Sequence, residues 1–159
     1  MASKEVKLSR RGMLFKIARV VTSKIIRGEY HFSNVSEITA EDLRESLNSD
    51  KPPLLIDTRS KHGYESGFGH IPNSKLISLM EMVDGLGSAD KFKETVKQLE
   101  AQLDEIQAYK EGEVVTICPG GGFSLVAAEI MAEAGFKDVK SLSGGVDGWF
   151  KKGYPTTTF

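Results

Sequence analysis

The stretch Val114-Val115-Thr116-Ile117-Cys118-Pro119-Gly120-Gly121-Gly122-Phe123-Ser124 decides how the chain is read. Val114 to Ile117 is the clearest buried strand in the sequence, a short continuous apolar run. It is followed by a cysteine, a glycine-rich turn and a helical segment predicted from Ser124 to Ala134, with Gly135 where a helix would stop. In open α/β sheets, ligands bind beyond the carboxyl ends of the strands. A glycine turn entering a helix N-terminus directs backbone N–H groups into one small volume, which attracts negative charge. A cysteine placed there lies in the field of those amides, and the thiolate is the nucleophilic form of sulfur. A lone cysteine is more often a small hydrophobe, and a glycine run more often an ordinary turn. Strand, cysteine, glycine loop and helix in this order favour a reactive site.

Outward from this stretch, strands and helices alternate. Val35 to Ile38 reads as a short strand, and Thr39 suits the N-cap of a helix running to about Leu47, with Glu41 and Asp42 in its first turn. Pro52-Pro53 punctuates the chain before Leu54-Leu55-Ile56, an apolar run that reads as a buried strand ending in Asp57-Thr58-Arg59. Lys75 to Ser78 is another short strand candidate, and Gly85 to Ser88 a loop. Phe92, Val96, Leu99, Leu103 and Ile106 mark a long amphipathic helix. Val139 to Leu142 is the last strand, with a short helix around Val146 to Phe150. Alternating strands and helices predict a mostly parallel sheet covered on both faces.

The composition is that of a folded domain: 159 residues, 40% hydrophobic and 27% charged, with a net charge of −1. That balance offers no global field for nucleic acid. One cysteine excludes an intramolecular disulfide framework, and scattered His31, His62 and His70 argue against a metal site. No Lys follows Gly120 to Gly122 as a phosphate-binding P-loop requires, and Leu125 breaks a dinucleotide-type glycine pattern.

Charge is unevenly spread. Residues 1–30 carry +6 and the remainder −7, so residues 1–34 are read as a basic extension and 35–159 as the domain proper. Leu14, Ile17, Ala18, Val21 and Ile25 recur at helical spacing, while Lys16, Arg19 and Lys24 interrupt any secretory apolar core. The favoured reading is a helix laid on the domain's own surface. The alternatives are a basic amphipathic helix, residues 13–27, on an anionic membrane or acidic partner, and an organellar targeting segment. The expected location is the cytoplasm.

Three further motifs accompany the cysteine loop. They are Leu55-Ile56-Asp57-Thr58-Arg59, the segment Gly69-His70-Ile71-Pro72-Asn73-Ser74, and Gly144-Gly145-Val146-Asp147-Gly148-Trp149 followed by Gly153-Tyr154-Pro155. Together, over about residues 36 to 155, they resemble a single-domain rhodanese of the sulfurtransferase family. The resemblance implies a three-layer α/β fold around a central five-stranded, mostly parallel sheet, and Cys118 as the catalytic cysteine. It implies a persulfide mechanism without a cofactor, in which sulfur passes from a small sulfane donor or a persulfidated protein to a thiol or other nucleophilic acceptor. Pro119, Gly120, Gly121, Gly122, Phe123 and Ser124 would form the loop that binds the transferred sulfur. Asp57 and Arg59 read as an ion pair that fixes loops near the cysteine, His70 as a structural hydrogen-bonder, and Asp147 and Trp149 as capping and packing the last helix.

The chain also departs from the family. Phe123 stands where the loop usually has arginine, which removes a guanidinium fork suited to thiosulfate, and Pro119 lacks an amide donor. Two other classes compete. A cysteine phosphatase needs a longer loop ending in arginine, whereas Ser124 stands six residues after Cys118. A non-enzymatic binding or regulatory module requires Cys118 to be idle.

Overall fold

The structure, a computed structural model, describes residues 35–79, 101–102, 104–133 and 135–159. The sequence readings for residues 1–34, for Gly85 to Ser88 and for most of the helix from Phe92 lie outside these residues; 101–102 and 104–105 are helical.

Thr39 starts the architecture as the sequence predicts. Its extended backbone and its side chain, which accepts from the Asp42 N–H at 3.1 Å, cap the helix that follows. The strand β1 (Ser36–Ile38) and helix α1 (Ala40–Leu47) flank this cap. Then come β2 (Leu54–Asp57), a short α2 (Lys61–Glu65), β3 (Lys75–Leu76), a 3-10 turn (Gln107–Tyr109), β4 (Glu113–Ile117), α3 (Gly122–Glu133), β5 (Asp138–Leu142) and α4 (Gly145–Lys151). The sheet order is β1-β5-β4-β2-β3, and every neighbouring pair is parallel. The order reverses around the central β4. Loops leaving β4 and β2 therefore diverge at its carboxyl end, which is where a ligand site forms in such sheets.

Alternation along the strands sorts side chains to two faces. Val115 and Ile117 join Leu55 and Leu142 in a cluster closed by Leu43 of α1 and by Val146 and Trp149 of α4. Thr116 points the other way, and its hydroxyl donates to the Ser124 carbonyl of α3 at 2.7 Å. Helices thus cover both faces, which is why the strands carry almost no polar alternation. Trp149 is fully buried, and its ring nitrogen donates to the Pro155 carbonyl at 2.8 Å. That bond ties the segment after α4 back onto the core.

Three local expectations differ from the structure, and two short elements carry no signal in the sequence. The strand expected over Lys75 to Ser78 ends at Leu76, because the Leu79 N–H turns back to the Ile77 carbonyl. Helix α3 begins at Gly122, two residues before the predicted Ser124. Helix α2 and the 3-10 turn carry no sequence signal, since Lys61–Glu65 and Gln107–Tyr109 are too short to show a period. Asp147 does not cap the last helix. The cap position is Gly144, with no side-chain bond, and Asp147 is exposed within the first turn.

Candidate active site

Cys118 follows β4 directly and is buried, at 2% exposure, while Pro119 and Gly120 beside it are exposed. The chain folds over the sulfur. The Gly121 N–H donates to Cys118 Sγ at 3.1 Å, and Ser124 Oγ lies 3.4 Å from the same sulfur. The next residues begin α3, whose first-turn amides have no acceptor within the helix. Backbone dipoles and a hydroxyl therefore converge on one sulfur atom at a helix N-terminus.

Two glycines make this geometry reachable. Gly121 has φ +96°, and a Cβ there would lie 2.9 Å from Gly144 N and 3.2 Å from the Leu142 carbonyl. Gly145 has φ +61°, and a Cβ there would lie 2.3 Å from the Cys118 carbonyl oxygen and 2.4 Å from that of Pro119. Only glycine permits both approaches. The first turn of α4 uses that closeness: the Val146 N–H donates to the Cys118 carbonyl at 2.9 Å and the Asp147 N–H to the Pro119 carbonyl at 3.0 Å. With those carbonyls held toward α4, the loop is oriented so that the Gly121 amide meets the sulfur. In the sequence Gly144-Gly145 is legible as a motif, but not as the contact through which α4 holds the cysteine loop. Sequence spacing carries no signal of that contact.

Asp57 and Arg59 form the ion pair that the sequence led us to expect. Both are buried, with Arg59 Nη2 2.8 Å from Asp57 Oδ2 and Nε 3.0 Å from Oδ1. The same Nη2 donates to the Gly69 carbonyl at 2.8 Å, so the pair joins the end of β2 to the segment before His70. Between them lies Thr58, to which the sequence by itself assigns no role. Its N–H and hydroxyl both donate to the Ile117 carbonyl, at 2.8 and 2.7 Å, bracing the residue that precedes Cys118. His70 is buried with Nδ1 at 2.8 Å from the Tyr64 carbonyl and Nε2 at 3.0 Å from the Phe159 carbonyl, a structural arrangement. Tyr64 stacks on it, and burial holds its phenol above the ordinary tyrosine value, so it stays a neutral donor to the Ser74 carbonyl at 2.6 Å. Phe123 is half-buried in the first turn of α3. Among the described residues no cluster of three or more His, Cys, Asp or Glu could hold a metal, and no helix is long and apolar enough to cross a membrane.

The sequence model of the rhodanese-like domain matches residues 39–152, which run from the α1 cap through α4. The chain belongs to the rhodanese-like domain family. A rhodanese-related protein of Thermoplasma volcanium shares the fold, with a TM-score of 0.57 at 22% identity over 78% of this chain and 99% of that one. Among curated proteins, the adenylyltransferase and sulfurtransferase MOCS3 of Oryza sativa subsp. japonica is 28% identical over 122 residues, 76% of this chain and 25% of the relative. A tRNA uridine(34) hydroxylase of Escherichia coli is 30% identical over 134 residues, 84% of this chain and 34% of the relative. This rhodanese-like chain thus spans about a quarter to a third of the length of the curated relatives it matches. At family level these relations support sulfur-related chemistry.

Proposed function

We infer that the protein is a sulfurtransferase that carries sulfane sulfur as a persulfide on Cys118. The observation that carries this reading is the Gly121 N–H aimed at Cys118 Sγ at 3.1 Å, at the mouth of α3. A preorganised donor on sulfur favours the forms that bear negative charge, thiolate and persulfide alike. In the first half-reaction, the Cys118 thiolate attacks the outer sulfur of a donor R–S–SH. The new S–S bond forms as the donor's S–S bond breaks, leaving Cys118–S–SH and R–S⁻. In the second, an acceptor thiolate attacks the outer sulfur of Cys118–S–SH, becomes a persulfide and releases the Cys118 thiolate. A buried sulfur suits this exchange, because one atom at a time passes and the persulfide stays shielded.

Phe123 bears on the donor. Residues 119–124 carry no guanidinium to pair with a dianionic donor such as thiosulfate, so a small persulfide or a protein persulfide is the better match. The same substitution favours, as second reading, a module that binds without transferring sulfur. Incubation with several sulfane donors followed by intact-mass measurement separates the two. The sulfurtransferase gains one sulfur atom on the wild type and none on Cys118→Ser. A wild type that loads from no donor, with its thiol intact, refutes the transfer reading.

A further inference from the structure

Ser141 is a buried hydroxyl with no place in the reaction just described. It lies on β5, fully buried, with its Oγ 2.7 Å from Ser124 Oγ. Ser124 Oγ, also fully buried, has two other neighbours: the Gly121 carbonyl at 3.2 Å and Cys118 Sγ at 3.4 Å. We propose that Ser141 is a positioning residue for sulfur transfer, acting through Ser124 to turn the Ser124 hydroxyl proton onto the Cys118 sulfur. The proposal rests on the persulfide reading for its purpose, but its test does not depend on that reading.

The argument is a proton count. Three groups, Ser141 O–H, Ser124 O–H and Cys118 S–H, share the oxygens of the two serines, the Gly121 carbonyl and the sulfur. Among the described residues the hydrogen-bond partner of Ser141 Oγ is Ser124. A buried hydroxyl that does not donate is costly. Ser141 therefore donates to Ser124 Oγ, and the single Ser124 proton is left for the Gly121 carbonyl or the sulfur. With the thiol protonated, the S–H points at Ser124 Oγ and Ser124 donates to the Gly121 carbonyl. Once the thiol ionises, Ser124 turns to donate to sulfur, which then receives two bonds, from Ser124 and from the Gly121 amide. Donation from Ser141 polarises the Ser124 O–H and strengthens it as a donor. Remove Ser141, and Ser124 Oγ is best satisfied by accepting the S–H, which favours the neutral thiol. The backbone is already pinned for this: Thr116 Oγ1 holds the Ser124 carbonyl at 2.7 Å, and Ser141 sits in register opposite Thr116.

A double-mutant cycle on Cys118 alkylation tests the proposal in the full chain. The probe is iodoacetamide at one fixed pH, with the ultraviolet absorbance of the thiolate as a second readout. Ser124→Ala should lower the alkylation rate about ten-fold, a change worth about 1.4 kcal/mol. Ser141→Ala should lower it about five-fold with a matching loss of thiolate absorbance, while Ser141→Thr, which keeps a hydroxyl, stays within about two-fold of wild type. The double alanine variant should match Ser124→Ala alone, because Ser141 has nothing to act through. Effects that multiply, or Ser141→Ala with unchanged absorbance and rate, overturn the proposal. If the wild type is alkylated with the expected coupling yet never gains sulfur from a donor, the transfer reading fails and the hydroxyl relay stands.

Discussion

Gly121→Ala tests the sulfur cradle directly. At φ +96° an alanine pays the left-handed penalty, of order 1–2 kcal/mol. Its Cβ also starts 2.9 Å from Gly144 N and 3.2 Å from the Leu142 carbonyl oxygen, both backbone atoms that cannot swing aside like a flexible side chain. Relief requires the 120–121 peptide to move by a few tenths of an ångström or to rotate, and that peptide carries the N–H held 3.1 Å from Cys118 Sγ. A hydrogen bond to a charged group contributes about 1.5–3 kcal/mol, so its loss slows sulfur uptake by about ten- to a hundred-fold. We expect a stability loss of about 2–4 kcal/mol in urea unfolding, from strain of this order plus the contact. Persulfide loading per folded molecule, followed by intact mass at a saturating sulfane donor, should fall at least ten-fold. Gly120→Ala is the stability control, since a Cβ there meets nothing within 4 Å; it should change stability by less than about 0.5 kcal/mol. A Gly121→Ala protein that loads at the wild-type rate per folded molecule refutes the idea that the amide holds the reactive sulfur.

Removing the guanidinium by Arg59→Ala leaves the fully buried Asp57 carboxylate without its ionic partner and should cost about 3–5 kcal/mol in urea unfolding; a change below 1 kcal/mol would show the pair to be dispensable. Replacing Phe123 by arginine should lower the Michaelis constant for thiosulfate by about ten-fold, or about 1.4 kcal/mol, if the new side chain reaches the loop mouth. A large fall in melting temperature for Phe123→Arg would instead identify the half-buried ring as an anchor of α3. Deleting residues 1–30 should leave a protein that unfolds cooperatively and still loads sulfur, because the family match begins at residue 39 and β1 at Ser36. A truncated protein without a cooperative transition would place the apolar stripe from Leu14 to Ile25 in the core.

Much of the architecture was legible because its signals are local. Val114 to Ile117 reads as a buried strand from its own apolar run, Thr39 as a cap from its own side chain, and Gly135, with φ +102°, as the end of α3 from its place after an apolar helix. The order strand, cysteine, glycine loop, helix also placed Cys118 at the carboxyl end of a strand, because that follows from chain order alone. What stayed hidden depends on contacts between segments distant in sequence. Val146 and Asp147 amides hold the Cys118 and Pro119 carbonyls, Thr58 grips the Ile117 carbonyl, and Ser141 meets Ser124, each across at least 17 residues. No periodicity encodes such pairs, since they arise only when β5, β4 and β2 lie side by side in one sheet. Chain order thus determined that Cys118 stands between a strand end and a helix start. The parallel packing of three strands and two helix N-termini decided which groups surround that sulfur and how they are aimed, because hydrogen-bond direction is a property of the assembled backbone.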